Sequence, residues 1–225
     1  MKITLDIETI GASNPAVREY IAKGVTHPAT MSKPETIAKW EAETKESAID
    51  EAVAKTSFDG AFGQVVCVGI KFDDEPAECL HGLDEAALLH ALNAHLEKIP
   101  MNEHFDTCII GHNVVNFDLR FLMQRFMVLG IRPHMAIHRA AAAKPWESEK
   151  VFDTMVQFAG NGNRVSLDKL CFAFGVPTPK GDLDGSKVGE YVKAGRIAEV
   201  AEYCTEDVEA THDVFKRMTW AELRG

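Results

Sequence analysis

The chain has 225 residues, 46% apolar and 26% charged, a composition that excludes a disordered or fibrous protein. Its 34 acidic residues outnumber 24 Lys and Arg, and the resulting net charge of −10 argues against a histone-like cationic binder. No apolar run approaches the roughly 18 residues of a membrane span, MKITLDIETI is too acidic for a signal peptide, and five cysteines without a CxxC pattern read as reduced thiols, so a cytoplasmic protein with no membrane partner is expected.

Residues 2–7 (KITLDI) alternate and are β-branched, which predicts a strand. Residues 11–60 then form a long insertion in which 34–55 read as one surface helix. The near-continuous apolar run 64–72 (QVVCVGIKF) predicts a buried strand. Residues 77–82 pair with it as a hairpin after the turn at Asp73-Asp74-Glu75-Pro76. Leu88, Leu92 and Leu96 recur at helical spacing in 84–97, and 106–111 (DTCIIG) predict the next strand. Phe117, Phe121, Leu122 and Phe126 make one stripe of a helix over 117–129, stopped by Gly130. Residues 130–150 are a second long connection, and 151–158 fit either strand or helix. Ser166 opens a helix that ends at Gly175. Residues 196–220 form a long helix with Ile197, Val200, Ala201, Val208, Thr211 and Phe215 facing inward. Strands first and alternating helices later predict an α/β sandwich around a mixed central sheet, in one domain spanning 1–225. Both insertions, about 11–60 and about 130–150, are too long for tight turns.

Three acidic elements stand out. Asp6 and Glu8 lie two apart on the first strand, so both point to one face. Asp118 falls in the first turn of a helix, after the loop GHNVVNF. Tyr203 and Asp207 share a helical face flanked by apolar residues, and an inward Asp there is expensive unless paired or metal-bound. Taken singly, each has a structural account: a solvated strand end, a helix N-terminal acid with Asn113 or Asn116 as cap, and a buried Tyr–Asp hydrogen bond.

Taken in order, LDIETI, NVVNFD and YCTED resemble the DEDD superfamily of 3′–5′ exonucleases, in its tyrosine branch. The closest likeness is to the proofreading domains of family B DNA polymerases and their stand-alone relatives. The resemblance covers residues 5 to 215 and implies an RNase H-like fold and a free-standing 3′–5′ exonuclease. It implies that Asp6 bridges two divalent ions, Mg²⁺ or Mn²⁺, with Glu8 and Asp207 completing one ion's site and Asp118 serving the other. Tyr203 would orient the attacking water. Thr9 would lie near the 3′-hydroxyl and Ile10 against a base, with Asn113 and Phe117 lining the same pocket; for Ile10 and Phe117 core packing is an equal alternative. The implied partner is nucleic acid, DNA before RNA. The resemblance assigns no role to 11–60.

The chemistry agrees with that residue set. Phosphodiester hydrolysis needs a nucleophile at neutral pH and neutralised oxygens, which two hard cations about 3.5–4 Å apart supply. Such ions prefer carboxylate oxygen to thiol or imidazole. Elsewhere, His134 and His138 lack the H-E-x-x-H pattern and read as surface histidines. Residues 181–187 (GDLDGSK) read as a turn, not a phosphate loop. Arg132, Arg139, Lys144 and Lys150, interleaved with His134, His138 and Trp146, read equally as a basic strip at the rim of the cleft or as a solvated loop.

Overall fold

The computed structural model describes all residues except 104, 145–146, 179–182 and 222–225. The strands are β1 (Lys2–Ile10), β2 (Gln64–Phe72), β3 (Glu78–His81), β4 (Cys108–Gly111) and β5 (Val151–Asp153). They form one mixed sheet in the order β3-β2-β1-β4-β5. β1, β2 and β3 run as an antiparallel meander, whereas β4 and β5 lie parallel to β1.

The helices are α1 (Pro15–Ala22), α2 (Pro34–Glu43), α3 (Lys45–Ala54), α4 (Glu85–Leu96), α5 (Asp118–Val128), α6 (Met135–Ala141), α7 (Thr154–Ala159), α8 (Leu167–Phe174), α9 (Val188–Lys193) and α10 (Ile197–Met218). The two faces of β1 sort by parity. Ile3, Leu5 and Ile7 enter the larger core, with Leu89 and Leu92 of α4 and Leu122 and Phe126 of α5. Thr4, Asp6 and Glu8 face α10, and Thr4 Oγ1 meets His212 Nδ1 at 2.8 Å. α10 packs Val200 and Cys204 against Val66 and Cys67 of β2. Gly69 permits this approach: a Cβ there would lie 2.6 Å from Val208 Cγ2 and 2.9 Å from Cys204 Sγ.

Several expectations change. Residues 34–55 are two helices broken at Thr44, because Trp40 and Ile49 are both buried and would face opposite sides of one unbroken helix. Residues 151–158 are strand and then helix: Asp153 ends β5 and its Oδ1 accepts the Met155 and Val156 N–H groups, capping α7. His134 is buried, not on the surface, since its Nδ1 accepts the Ala136 N–H at the start of α6. The described residues of 130–150 sit at the far end of the sheet from the acidic site. A crossover between parallel strands must return to their N-terminal ends, and there Arg139 donates to the Phe105 carbonyl at 2.6 Å while Cys108 Sγ donates to the Ser148 carbonyl. Trp146 and residues 181–182 lie outside the described residues; Asp184 and Ser186 form the expected turn.

One buried ion pair locks the insertion's end to the larger core. Arg125 on α5 makes a two-pronged contact with Glu85 (2.9 and 2.7 Å), Glu85 also accepts the Val65 N–H, and Arg125 donates to the Gly60 carbonyl. Arg125→Leu would leave a buried carboxylate without its cation. A loss of roughly 3–5 kcal/mol is expected, measured as a lower urea midpoint with the m-value unchanged.

Candidate active site

The acids arrive from three elements. β1 presents Asp6 and Glu8 to α10, and α10 presents Asp207 back to them. Oxygens of Asp6, Glu8 and Asp207 lie within 4.8 Å of one another. Asp118, at the first turn of α5, stands beside this trio and is not part of it; its Oδ1 accepts the Ile7 N–H at 3.0 Å. Tyr203 is half-buried and lies near enough to Asp207, Glu8 and Asp6 to feel their charges. The structure thus brings together all five residues expected to be catalytic.

The electrostatics are those of crowded acids. Burial, then Asp118, Glu8 and Asp207, pushes the Asp6 carboxyl well above the carboxylate range, opposed by the Cys204 thiol 3.6 Å from Oδ2. Burial and then Asp207 do the same to Glu8. Burial raises Asp118 to about 7 despite its backbone N–H bonds, and Asp207 to about 6 despite the nearby Tyr203 hydroxyl. Burial and the Asp207 charge push Tyr203 above the usual phenol range. None of the four acids forms an ion pair with a described basic residue; Lys71 of β2 pairs with Glu209 instead. An oxygen-only, uncompensated cluster suits a hard divalent cation.

The residues expected to meet substrate divide. Thr9 is buried and donates its hydroxyl to the Ser57 carbonyl at 2.7 Å. Ile10 packs against the α10-side core with Val66 and Val200. Asn113 (φ +61°) and Phe117 line a cleft of about 460 Å³ together with Phe58, Asn163 and Arg164. Phe117 also packs on the larger core, as the alternative reading of that residue expects. Sequence reasoning missed Asp153, whose carboxylate accepts the Asn113 and Val115 N–H groups at 3.0 and 3.1 Å and so shapes the loop before Asp118. Its signal was an acid at the end of a short strand, which no spacing distinguished from an ordinary helix cap.

The raised carboxyls set a pH dependence for the metal-free protein. A folded state that holds protons more tightly than the unfolded chain loses stability as pH rises through the folded pKa values. In chelator, the melting temperature should therefore fall between about pH 5 and pH 8. Each unit of displacement corresponds to about 1.4 kcal/mol. Mg²⁺ or Mn²⁺ should remove the decline, and Asp6→Asn should flatten it; a flat wild-type profile in chelator would contradict the crowding.

Comparison with known proteins agrees with this geometry. A family model described as a predicted 3′–5′ exonuclease related to the exonuclease domain of PolB matches residues 82–224. That span holds Asp118, Tyr203 and Asp207 and leaves out β1 with Asp6 and Glu8. No curated protein matches the sequence. Among solved structures, the family B DNA polymerase from the hyperthermophilic archaeon Pyrobaculum calidifontis superposes with a TM-score of 0.60 at 17% identity. The superposition covers 97% of this chain and 24% of the polymerase chain, and it shows the fold to be RNase H-like. With the match running through most of its length and three of its five clustered residues, the chain belongs to the family of predicted 3′–5′ exonucleases related to the exonuclease domain of PolB.

Proposed function

We propose that this nuclease removes nucleotides from the 3′ ends of DNA, acting on single strands and releasing nucleoside 5′-monophosphates. The observation that carries the reading is the trio of carboxylates within 4.8 Å, with Asp118 beside it and no basic partner. Asp6, Glu8, Asp118 and Asp207 would hold two divalent ions, Mg²⁺ or Mn²⁺. Bound there, the ions supply acidified water and neutralise charge on the attacking and leaving oxygens.

The chain's own residues orient and donate. Asp6 has Glu8, Asp118 and Asp207 all close enough to raise its pKa, so it is the carboxylate that would help hold both ions. Tyr203 is held protonated by burial and by the Asp207 charge. It acts as a hydrogen-bond donor that orients the attacking water, not as the proton acceptor. Thr9 gives its proton to Ser57, which leaves the Oγ1 lone pairs to accept from a substrate 3′-hydroxyl. The free thiols fit work in a reducing compartment such as the cytoplasm.

The test is incubation with end-labelled single-stranded DNA and RNA, with Mg²⁺, with Mn²⁺ and with chelator. Stepwise shortening of DNA that stops in chelator is expected. Preferential shortening of RNA would make the protein an exoribonuclease, and no shortening of either polymer would overturn the reading. Asp6→Asn should reduce cleavage below detection in a folded protein. Tyr203→Phe should lower turnover roughly ten- to a hundred-fold, the usual range for groups that orient a ligand at a metal site. Wild-type turnover in Tyr203→Phe would leave that side chain a packing role only.

A further inference from the structure

We infer that the cleft between the end of the 11–60 insertion and the α7–α8 turn is a nucleotide subsite, in which Phe58 stacks on an unpaired base beside the scissile phosphate and Arg164 holds a backbone phosphate. This rests on the nuclease reading above and adds residues that none of the acidic motifs contains.

Phe58 is 74% exposed, an expensive position for a phenyl ring, and the turn that carries it is firmly held. Thr56 is buried; its hydroxyl donates to the Val53 carbonyl and accepts the Ala12 N–H. Ser57 receives the Thr9 hydroxyl, and the Asp59 N–H closes on the Thr56 carbonyl at 2.8 Å. Gly63 lets the exit strand pass beneath, since a Cβ there would lie 2.3 Å from the Thr56 carbonyl. The ring is therefore a preformed platform. Its centroid lies 6.2 Å from that of Phe117, which in turn lies 5.7 Å from Phe121, so the platform continues an aromatic row out of the core.

The cleft stands next to the acids at both ends. Phe117 directly precedes Asp118, and Thr9, bonded to Ser57, directly follows Glu8. The opposite wall carries Met155, Asn163 and Arg164. Arg164 is exposed and forms no ion pair with a described residue, and the Asn113 and Asn116 side chains make no hydrogen bond with one. The lining contains no carboxylate. An aromatic face, unengaged amides and a single cation match a neutral base joined to an anionic backbone. A base within a duplex has its faces covered, so this subsite selects frayed or single-stranded ends.

The test uses oligodeoxynucleotides with 2-aminopurine at the terminal or the penultimate 3′ position, bound in chelator so that no cutting occurs. Wild type should quench the emission at one of these positions. Phe58→Ala should abolish that quench and weaken binding about ten-fold, whereas Phe58→Trp should retain both. An abasic nucleotide at the quenched position should erase the difference between wild type and Phe58→Ala. Arg164→Ala should flatten the log–log salt dependence of binding by about 0.7. Unchanged quench and affinity in Phe58→Ala, with wild type still shortening DNA in Mg²⁺, would overturn the subsite and leave the nuclease reading standing. Wild type that shortens neither DNA nor RNA would overturn both.

Discussion

The site depends on β1 outrunning its parallel neighbour. β1 pairs with β4 only over Lys2–Thr4, so beyond Thr4 its edge on that side has no strand to bond to. An unpaired N–H in a buried strand is costly, and Asp118 takes the one at Ile7. That single bond places the start of α5 over the gap between Asp6 and Glu8. The loop that delivers Asp118 is shaped accordingly. Gly111 lets the chain turn over the Leu5 carbonyl, where a Cβ would sit 3.0 Å from it, and Asn113 adopts a left-handed conformation. Asp153 then pins the loop from β5 through two N–H groups.

Acids withdrawn wholly or partly from water in this protein are of two kinds. Glu85 is matched by Arg125, and Asp153 is matched by four backbone N–H groups, so each is satisfied within the fold. Asp6, Glu8 and Asp207 are matched mainly by one another, which stabilises nothing at neutral pH. Burial alone does not set the clustered acids apart; the lack of a compensating cation does. The same contrast explains how a chain with a net charge of −10 can approach a polyanion: the repulsive charge nearest the reaction is concentrated where cations would sit.

Long periodic elements were legible in the sequence because periodicity is a local property. β2, α4, α5 and α10 follow their apolar spacing, and Ser166, Gly130 and Gly175 cap or stop helices as their chemistry requires. Asp6, Glu8, Asp118, Tyr203 and Asp207 were legible as a set because motif order survives wherever spacing does. What stayed hidden depended on contacts between distant segments. The break at Thr44 follows from which residues find a core, the burial of His134 from a bond to α6, and the placement of 130–150 from the parallel sense of β5. Elements as short as β5 and α7 carry no measurable period. Phe58 gave no signal at all, since an exposed aromatic ring looks like any other in sequence.

Gly69 gives this architecture an unexpected control point. It lies opposite Asp6 on β2, a strand that contributes no acid, and α10 rests on it with no room for a methyl group. The helix that carries Asp207 is thus seated at a height set by an absent side chain. A larger residue would act as a shim, lifting Cys204 and then Asp207, one turn further on, away from Asp6. How near Asp207 comes to Asp6 and Glu8 is therefore gauged from the neighbouring strand by a residue with no side chain of its own.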